Sequence, residues 1–435
     1  MGLRVLLLGD GGREHALAWS INKSDLLDEL YIAPGNPGTD SVGTNVPLSL
    51  SDFSEIQEFI EDKKIDLTVV GPEDPLVGGI ADFLEEKDHK VFGPSKQAAQ
   101  LEGSKSFANH FMIKRGIPTA GYAVFKRHEF DKVIDYVRKE ESFPVVLKAD
   151  GLAGGKGVFI CEEESEVLET LETLKESPKL SDAADTLVVE EFLEGEEASV
   201  FAICDGETAK IIHNAQDHKR IGEGDTGPNT GGMGAYCPAP VMTDRLLEQV
   251  EREIVLPTLT GMILDDTPYK GILYLGLMIT EEGPKVVEYN CRFGDPECQP
   301  IVQALNSDLL KHMWAAVNQN LSQEEIELDN QYHSCVVMSS HGYPGEYEKG
   351  KKIEGLEDVS DEALVFHAGT ALNDDGDLIT DGGRVLSVVC SGEDLEQSLK
   401  TTYEQIERTK FENAYYRSDI GYKGLEHLNR DLESS

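Results

Sequence analysis

The 435-residue chain has few of the features that mark secreted or membrane-spanning proteins. Its seven cysteines are scattered without paired spacing, which is typical of reduced thiols rather than of a disulfide framework. No stretch approaches the roughly 20 apolar residues that a membrane-spanning helix needs. The apolar start, Val5 to Leu8, is far too short for a signal peptide and indicates a first strand. We therefore expect a cytoplasmic protein with no membrane partner.

Positive charge is also scarce. The chain has 39 Lys and Arg against 81 Asp and Glu, which gives a formal net charge of −42. Nucleic acids and anionic membranes are bound through basic surfaces, so neither is an expected partner. An anionic small-molecule substrate must be held by local Lys or Arg side chains, backbone N–H groups or a metal ion. The length predicts about three domains.

Residues 1 to about 94 alternate predicted strands and helices, which favours a doubly wound parallel sheet with its ligands beyond the carboxyl ends of the strands. Glu14 occupies the third glycine position of a dinucleotide fingerprint, so the first loop favours a phosphate-sized or sugar-phosphate-sized ligand over a nicotinamide cofactor. His15 could contact a ligand, but a histidine in a first helical turn more often packs against the core or caps the helix, and we expect that role here. The candidate substrate contacts on this rim are Gly11, Gly12, Gly35, Asn36, Gly71, Pro72 and Glu73.

Two lysines stand in unusual places. Ser104 is a predicted N-cap of a helix that ends at Gly116, and Lys105 is the first helical residue. A cation there opposes the helix dipole, so Lys105 is either tolerated on the surface or placed to meet an anion. Lys148 alternates with apolar residues on a predicted buried strand, where an ammonium group needs an anionic partner.

Two segments after Lys148 could hold a nucleotide. The glycine-rich stretch 150–157 predicts a hairpin whose N–H groups and Lys156 close over phosphates, with a plain flexible hairpin as the alternative. It is not a P-loop, because Gly157 stands at the Ser/Thr position and a strand follows where a helix should. The predicted strand Leu187–Leu193 can offer its backbone to an adenine edge, with a carboxylate beyond it for ribose hydroxyls.

The segment 216–236 is predicted to be a loop of about 20 residues with almost no apolar content, and such loops are either disordered or functional. Its mixture of charged residues and glycines suits a small zwitterion and phosphate oxygens. We predict a helix over Asp244–Ile263, bent at Pro257. The region from about Gln331 onward shows no catalytic constellation, which favours scaffolding or substrate closure.

The segment Lys285–Cys291 is a predicted strand. Alternation along a strand places Glu288, Asn290 and Arg292 on one face. Carboxylate and amide oxygens suit Mg²⁺ shared with phosphate, and a guanidinium can grip a carboxylate or phosphate in fork geometry. The alternative is an edge strand with a solvated polar face.

Five segments together resemble the ATP-grasp superfamily and, within it, the phosphoribosylamine–glycine ligase family. They are residues 11–17, 70–73, 216–220, 227–236 and 290–297. The resemblance runs essentially end to end and implies an α/β and α+β multidomain fold. Its implied parts are an N-terminal doubly wound, Rossmann-like substrate domain (1–103), a central two-lobed ATP-grasp fold with a core lobe (104–120 and 189–328) and a mobile lid lobe (121–188), and a small C-terminal α+β domain (329–435).

The resemblance implies that glycine is ligated to 5-phosphoribosylamine with ATP and Mg²⁺ or Mn²⁺, giving glycinamide ribonucleotide, ADP and phosphate through a glycyl phosphate. This is a step of de novo purine biosynthesis, and we expect a monomer. Two alternatives stay open: another ATP-grasp ligase or carboxylase, acting on an aminoimidazole ribotide or on biotin, and a catalytically silent nucleotide sensor.

The resemblance also assigns roles to residues. For ATP it implies Lys105, Lys148, the loop residues Gly151, Gly154, Gly155, Lys156 and Gly157, the adenine edge at Glu190, Glu191 and Leu193, and Glu197 at the ribose. For the metal it implies Glu288 and Asn290. For the substrates we expect Asp217, Lys219, Arg220, Asn229, Thr230, Arg292 and Asp295, with Arg292, Lys148, Asp217 and Asp295 as the catalytic set.

Overall fold

The first five strands form a parallel sheet in the order β3-β2-β1-β4-β5. The structure is a computed structural model, and it describes residues 2–140, 143–152, 157–176 and 185–434. The elements are β1 (Leu3–Gly9), α1 (Gly12–Ile21), β2 (Leu27–Pro34), β3 (Thr44–Asn45), α2 (Phe53–Lys63), β4 (Leu67–Val70), α3 (Glu73–Gly78), α4 (Ile80–Glu85) and β5 (Val91–Phe92). Residues Val5 to Leu8 are fully buried. Val5 and Leu7 pack with α1, whereas Leu6 and Leu8 pack with α2 and α4, so the sheet is covered on both faces as predicted.

The sequence predicts a single helix over Pro75–Glu86 after β4, but two short helices are present. Gly79 separates α3 from α4 with φ of +98°. Glycine adopts this left-handed conformation at little cost, and the conformation ends the first helix. The apolar pattern continues through Gly79 and does not show this interruption, so it predicted one continuous helix.

A helical link follows the first sheet. It consists of α5 (Gln100–Gly103) and α6 (Lys105–Arg115). The hydroxyl of Ser104 accepts a hydrogen bond from the Phe107 N–H at 3.1 Å, and Gly116 closes α6 with φ of +68°. Both predicted ends of this helix are confirmed.

The next region, which we call the lid lobe, is a four-stranded antiparallel sheet with two helices. Its elements are β6 (Tyr122–Lys126), α7 (Phe130–Glu140), β7 (Val145–Ala149), β8 (Val158–Cys161), α8 (Glu164–Glu176) and β9 (Thr186–Glu191). The strand order is β6-β9-β7-β8. Phe130, Val133 and Val167 pack from the helices onto Leu147 and Leu187 of the sheet, so the lid lobe has a hydrophobic core of its own.

A nine-stranded antiparallel sheet carries the rest of the chain, in the order β16-β15-β10-β11-β14-β17-β21-β18 with β22 beside β17. The first part of this region of the chain contains β10 (Glu196–Asp205), β11 (Ala209–Asp217), β12 (Arg220–Gly222), β13 (Thr226–Asn229), β14 (Gly234–Cys237), α9 (Asp244–Val250), α10 (Leu256–Leu264), β15 (Lys270–Thr280), β16 (Gly283–Asn290), α11 (Cys298–Ala304) and α12 (Leu309–Val317). Its second part contains β17 (Tyr332–Ser340), β18 (Leu364–His367), β19 (Thr370–Leu372), β20 (Leu378–Thr380), β21 (Arg384–Gly392), α13 (Leu395–Ile406), β22 (Ala414–Tyr415) and α14 (Tyr422–Ser434). Antiparallel pairing of β14 with β17 joins the two parts.

Two predictions in this region were wrong in detail. The segment 216–236 is not an irregular loop, because β12 and β13 form a small hairpin and β14 enters the large sheet. The helix expected over Asp244–Ile263 is interrupted by a π-helical turn, Glu251–Val255, just before Pro257. The proline ring displaces the carbonyl four residues earlier, and that position, Glu253, lies inside the widened turn.

All seven cysteines are free and buried, in agreement with the prediction of reduced thiols. Among the described residues, no helix is both long and apolar enough to cross a membrane.

Candidate active site

Lys148 of the lid lobe reaches across to β16. Its ammonium donates to the Val287 carbonyl at 3.0 Å and lies 2.6 Å from Glu190 Oε2, and both charged side chains are 7% exposed. The anionic partner predicted for this buried lysine is therefore Glu190. Because Glu288 follows Val287 directly, Lys148 and Glu288 belong to one site.

Lys105 lies beside the start of the glycine-rich hairpin. Its ammonium donates to the Gly151 carbonyl at 3.2 Å. Burial lowers its pKa, although the negative charge of Glu288 opposes that effect. Asp150 accepts from the Ser106 N–H at 2.6 Å, so an acidic side chain already caps this helix N-terminus. Lys105 is thus a partly buried cation close to Glu288 and Lys148.

The phosphate loop is only partly described. Gly157 accepts a hydrogen bond from the Ala149 N–H at 2.8 Å, which places it at the base of the predicted hairpin. Gly154, Gly155 and Lys156 lie outside the described residues, so the phosphate contact assigned to them stays a prediction.

The predicted adenine edge follows the end of β9. The second oxygen of Glu190 accepts from Asn109 Nδ2 at 2.8 Å. The Glu191 N–H donates to the Gly121 carbonyl at 2.9 Å, so that donor is already used within the protein. Leu193 is buried, 8% exposed. These contacts leave the adenine assignment a prediction.

Glu288 and Asn290 provide oxygen atoms that fit a divalent cation. The Glu288 carboxylate is half-exposed, and its nearest cation is Lys219 Nζ at 3.8 Å. The hydrogen-bonding surroundings assign the amide nitrogen of Asn290 as the donor to Glu102 Oε1 at 2.9 Å and to the Tyr289 carbonyl at 3.2 Å, because both of these oxygens can only accept. In this assigned orientation Asn290 Oδ1 is directed away from Glu102. Two such donors suit Mg²⁺ or Mn²⁺ that is shared with phosphate oxygens.

No larger metal centre competes with this pair within the described ranges, where no group of three or more His, Cys, Asp or Glu side chains is arranged to hold a metal ion. A cation at Glu288 and Asn290 would therefore depend on ligands from outside the protein.

Arg292 does not share a strand with Glu288 and Asn290, because β16 ends at Asn290. Its guanidinium donates to Glu102 Oε1 at 2.8 Å and to Glu73 Oε2 at 3.1 Å. It therefore converges with Asn290 on Glu102 and not directly on Glu288. Burial would raise the pKa of Glu73, but Arg292 and Arg13 outweigh burial and lower it to about 2.

A group of carboxylates surrounds Lys219 on the other side of the site. The Lys219 ammonium lies 2.8 Å from Glu197 Oε2, and it holds the pKa of Glu197 below its usual value. Burial raises the pKa of both Asp217 and Glu297, and the charge of Asp217 raises the pKa of Glu297 further. This part of the site can therefore accept a cationic amino group and hold its proton.

The β12–β13 hairpin places Lys219 and its neighbours. Arg220 pairs with Asn229 across the hairpin and donates to the Gly227 carbonyl at 2.7 Å. Thr230 donates through its N–H to the Lys219 carbonyl at 2.7 Å. These bonds hold the predicted substrate residues in one rigid turn.

The tip of this hairpin is fixed by the C-terminal part of the chain. Asp225 accepts from Arg417 at 2.7 Å and from the Tyr422 hydroxyl at 3.0 Å, and it forms an ion pair with Lys423. Burial would raise the pKa of Asp225, but His218, Lys423 and Arg417 outweigh burial and lower it. Arg417 and the first turn of α14 therefore hold the hairpin in place, which supports the scaffolding role expected for this region.

Asp295 is held by a second C-terminal residue. Arg384 of β21 lies 3.0 Å from Asp295 Oδ2 and donates to the Asp295 carbonyl at 2.6 Å. It also donates to the Gly231 carbonyl at 2.8 Å. One guanidinium thus joins the segments 227–236 and 290–297.

The first loop of the N-terminal sheet already contains an anion. Glu14 Oε2 accepts from the Gly11 N–H at 2.9 Å. A Cβ placed on Gly71 would lie 2.2 Å from Glu14 Oε1, and one on Gly12 would lie 2.9 Å from Gln299 Nε2. The Gly11 N–H is therefore not free for a phosphate, in contrast to the contact expected there, and these glycines make room for side chains of the protein.

Asn36 connects the N-terminal sheet to the C-terminal part. Its amide nitrogen donates to the Asp10 carbonyl at 2.7 Å and to the His367 carbonyl at 2.9 Å, while its amide oxygen accepts from the Gly38 N–H at 2.8 Å. The neighbouring Gly35 has φ of +70°. Pro72 precedes α3 as its N-cap residue and brings Glu73 to Arg292.

His15 is a buried packing residue, as expected. The His367 N–H donates to His15 Nδ1 at 2.8 Å, and burial lowers the pKa of His15 to about 3.

Three residues at the site were not singled out from the sequence: Glu102, Glu297 and Arg384. Glu297 ends the segment 290–297, so its position in that motif could have marked it. Glu102 lies in a four-residue helix and Arg384 at the start of a strand, and neither has a neighbouring motif that points to the site.

A lid lobe whose lysine reaches the oxygen donors on the edge strand of a larger antiparallel sheet defines the ATP-grasp class of proteins. The biotin carboxylase of Campylobacter jejuni, solved with an ATP analogue, has the same fold: the TM-score is 0.74 at 14% identity, over 94% of this chain and 92% of that one. The chain belongs to the phosphoribosylglycinamide synthetase family. The N domain of that family matches residues 3–102, its ATP-grasp (A) domain residues 103–298 and its C domain residues 333–423.

Relatives match over nearly the whole length. The phosphoribosylamine–glycine ligase of Agrobacterium fabrum is 48% identical over 423 residues, which is 97% of this chain and 99% of that protein. The crystal structure of the phosphoribosylamine–glycine ligase of Thermotoga maritima gives a TM-score of 0.82 at 36% identity, covering 96% of this chain and all of that one.

Proposed function

We propose that this protein ligates glycine to 5-phosphoribosylamine with ATP, giving glycinamide ribonucleotide, ADP and phosphate in de novo purine biosynthesis. The single observation that carries the proposal is the bond from Lys148 of the lid lobe to Val287, next to the oxygen donors Glu288 and Asn290. It brings a cation of the lid lobe next to oxygen donors from a distant part of the chain. The names of relatives that match at 44–48% identity support the choice of substrates.

A glycine carboxylate is inert to amines until one of its oxygens becomes a leaving group. In the first step, a carboxylate oxygen attacks the γ-phosphorus of ATP and the bond to the β-phosphate oxygen breaks, which releases ADP. In the second step, the amine attacks the carbonyl carbon of glycyl phosphate, and the C–O bond breaks with loss of phosphate. Lys105 and Lys148 stabilise the charge that develops on the transferred group.

Glu288 and Asn290 would hold Mg²⁺ or Mn²⁺, which supplies Lewis-acid stabilisation of phosphate oxygens when it is bound. Arg292 orients the glycine carboxylate or the oxyanion. Its two carboxylate partners fix the direction of its guanidinium before substrate arrives.

The carboxylates near Lys219 bind the amino groups of the substrates. We assign Asp217 and Asp295 to binding an amino group, and the raised pKa of Asp217 suits it to take up a proton as the amine becomes a nucleophile. Lys219, Arg220, Asn229 and Thr230 are assigned to phosphoribosylamine, together with the rim at Gly35, Gly71 and Pro72. We further propose a cytoplasmic monomer; the free, buried thiols support a reducing compartment.

The direct test measures ADP release with ATP, Mg²⁺, glycine and freshly generated phosphoribosylamine, with each component omitted in turn. We expect full turnover only when all are present, and glycyl hydroxamate when hydroxylamine replaces the amine. ADP release that needs bicarbonate rather than glycine would identify a carboxylase instead. Nucleotide binding without turnover under every combination would point to a silent sensor.

A further inference from the structure

Glu102 lies at the junction between the N-terminal sheet and the ATP-grasp region, and its role in the function proposed above is limited to orienting Arg292. It is a residue of the short helix α5, and its side chain is 6% exposed. A buried carboxylate is costly unless each oxygen finds donors. The donors that Glu102 finds all come from three consecutive residues of one distant segment, 290–292.

Four hydrogen bonds run into this carboxylate. Glu102 Oε2 accepts from the Cys291 N–H at 2.7 Å and from Cys291 Sγ at 3.0 Å. Glu102 Oε1 accepts from Arg292 Nη2 at 2.8 Å and, in the assigned orientation of the Asn290 amide, from its nitrogen at 2.9 Å. The two oxygens are therefore shared between a backbone N–H, a thiol, a guanidinium and an amide.

The bond to Asn290 has a chemical consequence. An ionised carboxylate can only accept hydrogen bonds, so the Asn290 amide must turn its nitrogen toward Glu102 and its oxygen away. A metal ion requires that oxygen, because an amide nitrogen is not a ligand for Mg²⁺ or Mn²⁺. Glu102 therefore decides which end of Asn290 faces the cation.

We propose that Glu102 is a positioning residue that keeps Asn290 Oδ1 directed at the divalent cation while it holds Arg292 toward the substrate. This proposal rests on the function proposed above and deepens it. Residues that orient metal ligands in this way contribute roughly 10- to 100-fold to metal affinity in other proteins. Glu102 would couple the N-terminal region to the metal without touching it.

The sharpest test replaces Glu102 by glutamine, which keeps the side-chain volume. Glutamine offers one oxygen and one NH₂ group, so it cannot accept from Cys291, Arg292 and Asn290 together. If its oxygen stays with the Cys291 N–H, its NH₂ group faces Arg292 and Asn290, and the Asn290 amide turns its oxygen toward the new donor. We expect Glu102→Gln to weaken Mn²⁺ binding in the presence of ADP by roughly 10-fold or more, as measured by electron paramagnetic resonance of free Mn²⁺.

Two controls separate this role from a general loss of structure. Glu73→Gln removes the other partner of Arg292 but does not touch Asn290, so its Mn²⁺ affinity should match that of the unmodified protein. Glu86→Gln changes an exposed glutamate and should change neither Mn²⁺ affinity nor thermal unfolding. Thermal unfolding of Glu102→Gln itself shows whether the fold persists.

A double-mutant cycle makes the proposal specific. In an Asn290→Asp background both side-chain ends are oxygens, so Glu102→Gln should no longer weaken Mn²⁺ binding. Asn290→Ala removes the amide altogether, and there too Glu102→Gln should have no further effect. Equal losses with and without Asn290, or unchanged Mn²⁺ affinity in a folded Glu102→Gln protein, would overturn the proposal. The ligase assay on the unmodified protein stands apart, because its failure would overturn the proposed function instead.

Discussion

Two sets of cations at this site are held in opposite ways. The lysines of the nucleotide side, Lys105 and Lys148, have few partners: a carbonyl oxygen for the first, a carbonyl oxygen and one carboxylate for the second. The arginines of the substrate side have several each. Arg292 bonds to two carboxylates, and Arg384 bonds to three carbonyl oxygens and a carboxylate.

The difference follows from side-chain chemistry. A lysine ammonium is a compact point charge that can exchange a protein oxygen for a phosphate oxygen at little geometric cost, whereas an arginine fork is fixed by several directed hydrogen bonds. The lysines are therefore suited to a charge that arrives and leaves in each cycle. The arginines are suited to hold a fixed frame around a small substrate.

The largest effect on activity is expected for Lys148→Ala, which tests the lysines of the nucleotide side. Loss of a cation that meets the transferred phosphoryl group should lower kcat/KM for ATP by roughly 10²- to 10³-fold. Glu190 also loses its partner, so thermal stability should fall as well. The measurements are steady-state ADP release and circular dichroism at the assay temperature.

Lys132→Ala is the matched control, because Lys132 lies in the same lobe and is 63% exposed. It should leave turnover unchanged. Normal turnover by a folded Lys148→Ala protein would refute the role assigned to Lys148.

A smaller effect on activity is expected for Arg292→Lys, which tests the arginines of the substrate side. Lysine keeps the charge but cannot bridge Glu73 and Glu102 with a planar fork, so the orientation of the group is lost. We expect kcat/KM for glycine to fall by about tenfold to a hundredfold, with the ATP dependence less affected. Arg138→Lys, on the exposed surface of the lid lobe, is the control. If Arg292→Lys were as active as the unmodified protein, a fixed frame of arginines would not be needed.

The smallest effect concerns stability as a function of pH. The pKa of Glu73 is about 2, below its ordinary value of 4.5. A carboxyl with a depressed folded-state pKa contributes stability above its unfolded pKa and loses that contribution as the pH falls toward the folded pKa. The unmodified protein should therefore be more stable than Glu73→Gln at neutral pH, and the difference should narrow as the pH drops below about 4.5.

Urea unfolding at several pH values measures this difference directly. Because every other carboxyl is common to the two proteins, the comparison isolates Glu73. If the difference in free energy of unfolding stayed constant down to the lowest pH at which both proteins fold, Arg292 would not stabilise the ionised Glu73.

Local chemistry allowed much of the site to be predicted. Ser104 was recognisable as an N-cap, and the burial pattern around Lys148 required an anionic partner, which the structure supplies as Glu190. Both inferences depend on groups that cannot be buried without a partner. The parallel order of the N-terminal strands followed from their alternation with helices.

Contacts between distant segments were out of reach. The hairpin at 216–236 is polar and rich in glycine, and it is ordered by Arg417, Lys423 and Tyr422, some 200 residues away, so the segment alone resembled an irregular loop. The junction of Glu102 with the segment 290–292 depends in the same way on two remote parts of the chain. Propensity and periodicity carry no information on such pairs.

The ladder between β14 and β17 has a mechanical consequence. Gly234 to Cys237 pair one by one with Val336 to His333, so the C-terminal strands extend the same sheet that bears β16. Rotation of one part against the other would break these backbone bonds, and no hinge can lie there without that loss. The lid lobe has its own sheet, so a swing of that lobe over a ligand would break none of the backbone bonds of the nine-stranded sheet.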